Sequence, residues 1–268
     1  MESNITKELS ARFNPILLIK TDEKPEDAYT LKPGRGACVM SLVGQSIAKR
    51  KITCFSRENI SCGGVNAGLG WGTGFENEED KEFQACFLSL GLESAKDKDK
   101  YLKKIEHIPK PMQKMFINGE RIYYDYDTAY KSISKRPIYD DNKYAVFKPL
   151  EKIENGEIPD SVIFTVNPIE LTVLIQLNNS FRTDNTYILT PQASACQAIG
   201  AFTFKERDKN NPSPILGPID FAGRSKIKAL IPNDYMLLSM PWKLFLKLEE
   251  ISKNSILQTD FIKNFYNE

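Results

Sequence analysis

The sequence predicts an α/β or α+β fold: a central mixed sheet with flanking helices, in two closely packed lobes that each hold a βαβ-like unit. Three observations carry this expectation. Short apolar runs rich in β-branched and aromatic residues (FNPILLI, KITCFS, DSVIFTV, YMLLSMP) alternate with longer stretches of helical period. A helix-start signature follows one of those runs directly, in Asn167-Pro168-Ile169-Glu170. The chain has 268 residues, 41% of them hydrophobic, enough to bury a sizeable core.

The elements follow in order. A short polar helix precedes the strand FNPILLI at 13–19. PGRGACVMSLVGQSIAKR (33–50) reads as a helix, because Pro33-Gly34 breaks the chain and Cys38, Leu42, Val43 and Ile47 fall near helical spacing. KITCFS (51–56) is a strand and leads into the glycine-rich stretch SCGGVNAGLGWGTG (61–74). Phe83, Phe87, Leu88 and Leu90 mark a helix over 78–91, with Gly91 expected as its C-cap. AKDKDKYLKK (95–104) is a solvated helical surface.

Composition changes around Pro109–Pro111, and the aromatic segments RIYYDYD and KYAVFKPLE follow. The expected organisation is therefore one domain of two lobes, 1–120 with the Cys/Gly-rich segment and 140–268. In the second lobe DSVIFTV (160–166) is a buried strand, a helix runs from Pro168 to the break at Asn179-Ser180, and TYILT (186–190) is again a strand. That βαβ order predicts a parallel pair with a right-handed crossover. QASACQAIGAF reads as a helix, NPSPILGPIDFAGRSK as a proline-rich linker, YMLLSMP as a strand, and two helices close the chain. FSRENISC and LTPQASAC also echo each other, an apolar strand end and a hydroxyl residue being followed six positions on by Cys62 or Cys196.

Charge and termini exclude several classes. Thirty-six basic residues against 35 acidic ones give a net charge of +1, without the electrostatic footprint of a nucleic-acid-binding protein. Glu2 and Glu8 interrupt the N-terminus, so no conventional signal peptide is expected, and no apolar run approaches the ~20 residues a bilayer span needs. Five cysteines, an odd and widely spaced set, are expected to be reduced thiols in a cytoplasmic protein. The expected partner is a small molecule or anionic ligand.

The candidate chemistry lies in cysteines and glycines. The glycines between 63 and 74 form neither G-x-x-x-x-G-K-[ST] nor G-x-G-x-x-G, so neither nucleotide pattern is present. Gly63 and Gly64 still allow backbone to approach a cofactor, or simply another piece of chain. Cys62, at the start of a helix, is a candidate nucleophile or metal ligand. Cys54 and Cys86 read as core residues, whereas Cys38, Cys62 and Cys196 admit either function or packing. No C-x-x-C pair occurs, and the single histidine, His107, sits in a polar surface segment, so a zinc site or catalytic pair would have to gather distant residues. In DFAGRSKI, Asp220, Gly223 and Arg224 form either an anion clamp or a turn salt bridge.

Taken in order, GACVMSLVGQSIAK, SCGGVNAGLG, PDSVIFTVNPIELTVLIQL, ASACQAI, and DFAGRSKI followed by YMLLSMPWKLF resemble the uncharacterised archaeal and bacterial family known as domain of unknown function 169. The resemblance spans roughly residues 13–250. It implies cysteines of shared position at Cys38, Cys62 and Cys196, a shared Gly223 and Arg224, and a further cysteine position that Phe221 occupies here. It transfers no activity. A family common in anaerobes, with three cysteines at shared positions, implies an iron–sulfur cluster or other metal held by Cys38, Cys62 and Cys196, with one iron position open or otherwise ligated. The implied site lies between the lobes, lined also by Gly63, Gly64, Gly223 and Arg224. Two other classes stay open: a metal-free thiol enzyme with Cys62 as nucleophile, and an anionic-ligand-binding protein with structural cysteines.

Overall fold

The computed structural model describes residues 1–31, 38–58, 63–72, 77–139, 142–183, 187–191, 194–217 and 220–265. Two compact units divide the chain: unit 1 comprises Met1–Trp71 and Tyr139–Glu268, and unit 2 comprises Gly72–Ile138.

Unit 1 opens with α1 (Asn4–Glu8), β1 (Ile16–Thr21), α2 (Met40–Lys49), β2 (Thr53–Ser56) and α3 (Gly63–Gly68). Unit 2 holds α4 (Glu78–Leu88), α5 (Lys98–Ile105), α6 (Lys110–Asn118) and α7 (Tyr126–Ser134). Unit 1 resumes with β3 (Tyr144–Pro149), β4 (Ser161–Val166), α8 (Pro168–Asn179), α9 (Ala195–Ile199), α10 (Ala201–Arg207), β5 (Ile215–Gly217), α11 (Phe221–Ile227), β6 (Met236–Met240), α12 (Trp242–Ser252) and α13 (Asp260–Phe265).

The α/β class, with a central sheet and flanking helices, is what the chain forms. The six strands of the described residues lie in the order β2-β3-β1-β4-β6-β5. Strands from 1–120 and from 140–268 therefore share one sheet. Period-2 alternation sends each strand's side chains to two faces. Ile16, Leu18, Phe147, Ile163 and Leu237 join one core with residues of α2, α3, α9 and α10. Leu17, Val162, Phe164, Val166, Leu238 and Met240 join the other, with residues of α1, α8 and α12. Each fully buried Leu, Ile or Phe contributes about 1.5–3 kcal/mol, so the doubly covered sheet dominates the stability of unit 1.

Every ladder in the sheet is antiparallel, which corrects the expected parallel pair and its βαβ units. The two places beside β4 are taken by β1 and β6, so the chain leaving α8 passes on to the far edge. There Leu189 makes a single parallel bridge to Ile215, outside β5. The linker expected over 211–226 in fact contains β5 and all but the last residue of α11. The helix-start signature at Asn167 is a complete capping box, the Asn167 side chain accepting from Glu170 N and the Glu170 carboxylate from Asn167 N.

Unit 2 packs Phe83, Cys86, Leu92, Tyr101 and Ile105 into its own core, with Phe116 stacked on Phe83. Its α4 ends at the C-cap Ser89, two residues before the expected Gly91. Gly91, at φ +77°, instead serves a backbone crossing: an added Cβ there would collide with Ile117 O and Gly119 N.

Candidate functional site

On the first face of the sheet, α3 crosses α9 in near backbone contact. A Cβ added to Gly68 would lie 2.6 Å from Cys196 Sγ and 2.9 Å from the Cys196 carbonyl carbon, and one added to Gly200 would run into Gly68 O. Small residues at both positions make this approach possible. The chain then leaves unit 1 through Gly70, at φ +76°, whose carbonyl accepts from Tyr139 N at 2.6 Å where the chain returns. The glycine stretch thus has two physical jobs in unit 1: helix crossing at Gly68 and a left-handed turn at Gly70.

The crossing presents Cys196. Its side chain is buried, with Sγ 3.3 Å from both Gly64 O and Ser194 Oγ, and the thiol donates to the Gly64 carbonyl. Gly63 and Gly64 open α3, so the sulfur of one expected segment does meet the backbone of another. Cys38 stands just before α2, half-buried against the same core cluster that includes Cys196. Cys62 lies outside the described residues, and among the described residues no group of three Cys, His, Asp or Glu side chains could hold a metal ion.

Asp220 organises the corner. Its Oδ1 caps α11 by accepting from Gly223 N at 2.8 Å, and its Oδ2 accepts from Ala195 N at 2.9 Å, so one carboxylate joins the starts of α11 and α9. Gly223 is buried against α2, where an added Cβ would lie 3.2 Å from Met40 Cγ. Arg224 donates from Nη1 to Asn233 O at 2.6 Å and from Nη2 to Tyr235 O at 3.2 Å, fastening α11 to the turn that enters β6. Phe221, the first residue of α11, is 93% exposed.

The remaining candidates fall as their surroundings dictate. Cys54 and Cys86 are buried; burial pushes the Cys54 thiol up to about 11 and raises Cys86 as well. His107 is exposed.

A second polar group was missed by sequence reasoning. Lys20, 9% exposed, donates from Nζ to Tyr139 O at 2.9 Å and lies 5.5 Å over the Phe204 ring. Asp160 accepts from Lys20 N at 2.8 Å and pairs with Arg207, and burial outweighs those partners in raising its carboxyl. The available signal was a lysine closing the apolar run ILLIK. Because both its amine and its backbone are engaged, Lys20 holds the returning chain at Tyr139.

Among the described residues no helix is long and apolar enough to cross a membrane. No curated protein and no solved structure matches the chain. The family model named domain of unknown function 169, described as uncharacterised ArCR, matches residues 4–251, a span that contains β1 to β6 and all five cysteines, and the chain therefore belongs to that family.

Proposed function

We propose that this protein is a cytoplasmic cofactor-binding protein that holds an iron–sulfur cluster, or another thiolate-bound metal, through Cys38, Cys62 and Cys196, and acts there on a small molecule. One observation supports this most: Cys196 Sγ lies 3.3 Å from the carbonyl of Gly64, which stands two residues along the chain from Cys62. Cys38 packs on the same core cluster, so the described cysteines of the set share one side of the sheet.

The donor chemistry fits. Thiolates are soft ligands that suit iron–sulfur clusters and zinc, and separated cysteines can supply them without a C-x-x-C pair. On deprotonation Cys196 would give up its donation to Gly64 O and accept from the Ser194 hydroxyl, 3.3 Å away. Asp220 fixes the segment bearing Cys196, and Arg224 acts as a positioning residue for α11. Gly64, with no side chain, brings its backbone carbonyl up to the sulfur. A bound cluster with one iron not held by thiolate would supply Lewis acidity or electron transfer to the substrate.

Purification under anaerobic conditions, followed by iron, sulfide and zinc analysis, tests the proposal. Stoichiometric metal, retained through gel filtration, is the expected result. A colourless protein that is metal-free and cannot be reconstituted would overturn it, and selective fast alkylation of Cys62 in that protein would point to metal-free thiol chemistry.

A further inference from the structure

Unit 1 follows one chain path twice. The first half runs from β1 to Tyr29, which bridges outside β2, then through α2, β2 and α3 to β3. The second runs from β4 through α8 to Leu189, which bridges outside β5, then through α9, α10, β5 and α11 to β6. With β1 matched to β4, β2 to β5 and β3 to β6, the sheet order is the same from either end.

The backbone repeats in detail. Tyr29 N donates to Ile52 O and Tyr29 O accepts from Cys54 N, both at 2.9 Å; Leu189 N donates to Pro214 O at 3.0 Å and Leu189 O accepts from Leu216 N at 2.8 Å. The cross-strand row Thr53, Phe147, Leu18 has its counterpart in Ile215, Ser239, Ile163. At the centre β1 and β4 pair antiparallel, with Leu17 opposite Val162. A pseudo-twofold axis through the sheet at that pair relates the halves.

The helices fix the residue register. Where α3 crosses α9, Gly64 meets Cys196 and Gly68 meets Gly200. Where α11 crosses α2, Gly223 meets Met40, and Gly44 meets Ile227, whose Cγ2 would lie 2.9 Å from an added Cβ. On each of the four segments the two contacts stand four residues apart, Gly200 being the C-cap of α9, so Gly64 corresponds to Gly223, Gly68 to Ile227, Cys196 to Met40 and Gly200 to Gly44. Two residues before Gly64 is Cys62; two before Gly223 is Phe221.

We propose that unit 1 is an internal duplication whose halves offer equivalent positions to one ligand site near the pseudo-twofold axis, with Phe221 as the second half's counterpart of Cys62. The proposal rests on the cysteine-cofactor reading and adds the direction of approach. Cys38 corresponds to Ser194, Cys196 to Met40 and, by position in the chain, Cys62 to Phe221, so each of the three cysteines stands opposite a residue without a thiol. Phe221 is a non-ligating residue that faces solvent almost entirely, and the small-molecule substrate reaches the cofactor past it.

Wild type, Phe221→Cys and Phe221→Ser, prepared metal-free under anaerobic conditions and titrated with cobalt(II), test this by the thiolate-to-cobalt charge-transfer absorbance per bound ion. A fourth thiolate should raise the band of Phe221→Cys by about one third over wild type, while Phe221→Ser leaves it unchanged. At a position this exposed both variants should keep the wild-type melting temperature. Equal bands in wild type and Phe221→Cys would overturn the equivalence and leave the three-cysteine reading standing. No band in any of the three proteins would overturn both.

Discussion

Replacing Gly68 with alanine puts one methyl group where the structure leaves no room for it. The added Cβ would lie 2.6 Å from Cys196 Sγ, 2.7 Å from Cys196 Cβ and 2.9 Å from the Cys196 carbonyl carbon. Carbon atoms in contact rest at about 3.5–4.0 Å, so α3 and α9 must part by roughly an ångström. A rotamer change cannot relieve this, because two of the three atoms are Cβ and backbone. Overpacking of this kind costs about 1–3 kcal/mol and sometimes more, and backbone involvement places it at the upper end. Alanine returns about 1 kcal/mol through helix propensity, which leaves a net loss of about 2 kcal/mol. Urea denaturation followed by the fluorescence of Trp71 and Trp242, both in unit 1, reads the effect as a lower midpoint at unchanged slope. A midpoint equal to or above wild type would refute the close crossing, and with it the account of why this segment is rich in glycine.

Asp220→Ala removes a helix cap and the bond to Ala195 N together, and should destabilise by about 2–3 kcal/mol in the same assay, with Asp220→Asn losing roughly half of that. Cys54, with its thiol pushed up to about 11, is a thiolate in on the order of one molecule in a thousand at pH 8, so iodoacetamide labelling of the folded, metal-free protein should leave Cys54 and the buried Cys86 unmodified after the half-buried Cys38 has reacted. Mass spectrometry reads the order, and early labelling of Cys54 would contradict the burial argument. Burial raises the Glu249 carboxyl against hydrogen bonds from Ser3 and Asn4, so its folded form holds the proton more tightly than the unfolded chain does. That contribution is full below the unfolded value of about 4.3 and is lost as pH rises through the folded value. The stability of wild type relative to Glu249→Gln should therefore fall as pH rises above about 4; a rising or flat difference would contradict this.

The sequence was most informative where local chemistry decides local structure. The Asn167–Glu170 capping box lies in adjacent residues, and the apolar runs of β1, β4 and β6 have no alternative to burial. Strand partners were less legible, because DSVIFTV carries no mark of whether its neighbours run parallel or antiparallel. The linker reading of 211–226 failed because β5 is three residues long and its prolines are ordinary loop signals, although Pro214 contributes the carbonyl that Leu189 needs. The duplication was hidden for a related reason. Its equivalent pairs, such as Met40 with Cys196 and Ile227 with Gly68, share backbone position and little side-chain shape. At the site, the meeting of Cys196 with the head of α3 could not be read from spacing at all; it depends on glycines at 68 and 200, more than a hundred residues apart.

The central claim concerns three sulfurs among five, and the metal content of single cysteine variants tests it most directly. Iron, sulfide and zinc should be measured in anaerobically purified wild type and in Cys38→Ser, Cys62→Ser, Cys196→Ser, Cys54→Ser and Cys86→Ser. The account predicts stoichiometric metal in wild type, retained in the Cys54 and Cys86 variants and lost or severalfold reduced in each of the other three. Metal content indifferent to Cys38, Cys62 and Cys196, or absent from wild type after reconstitution, would contradict it.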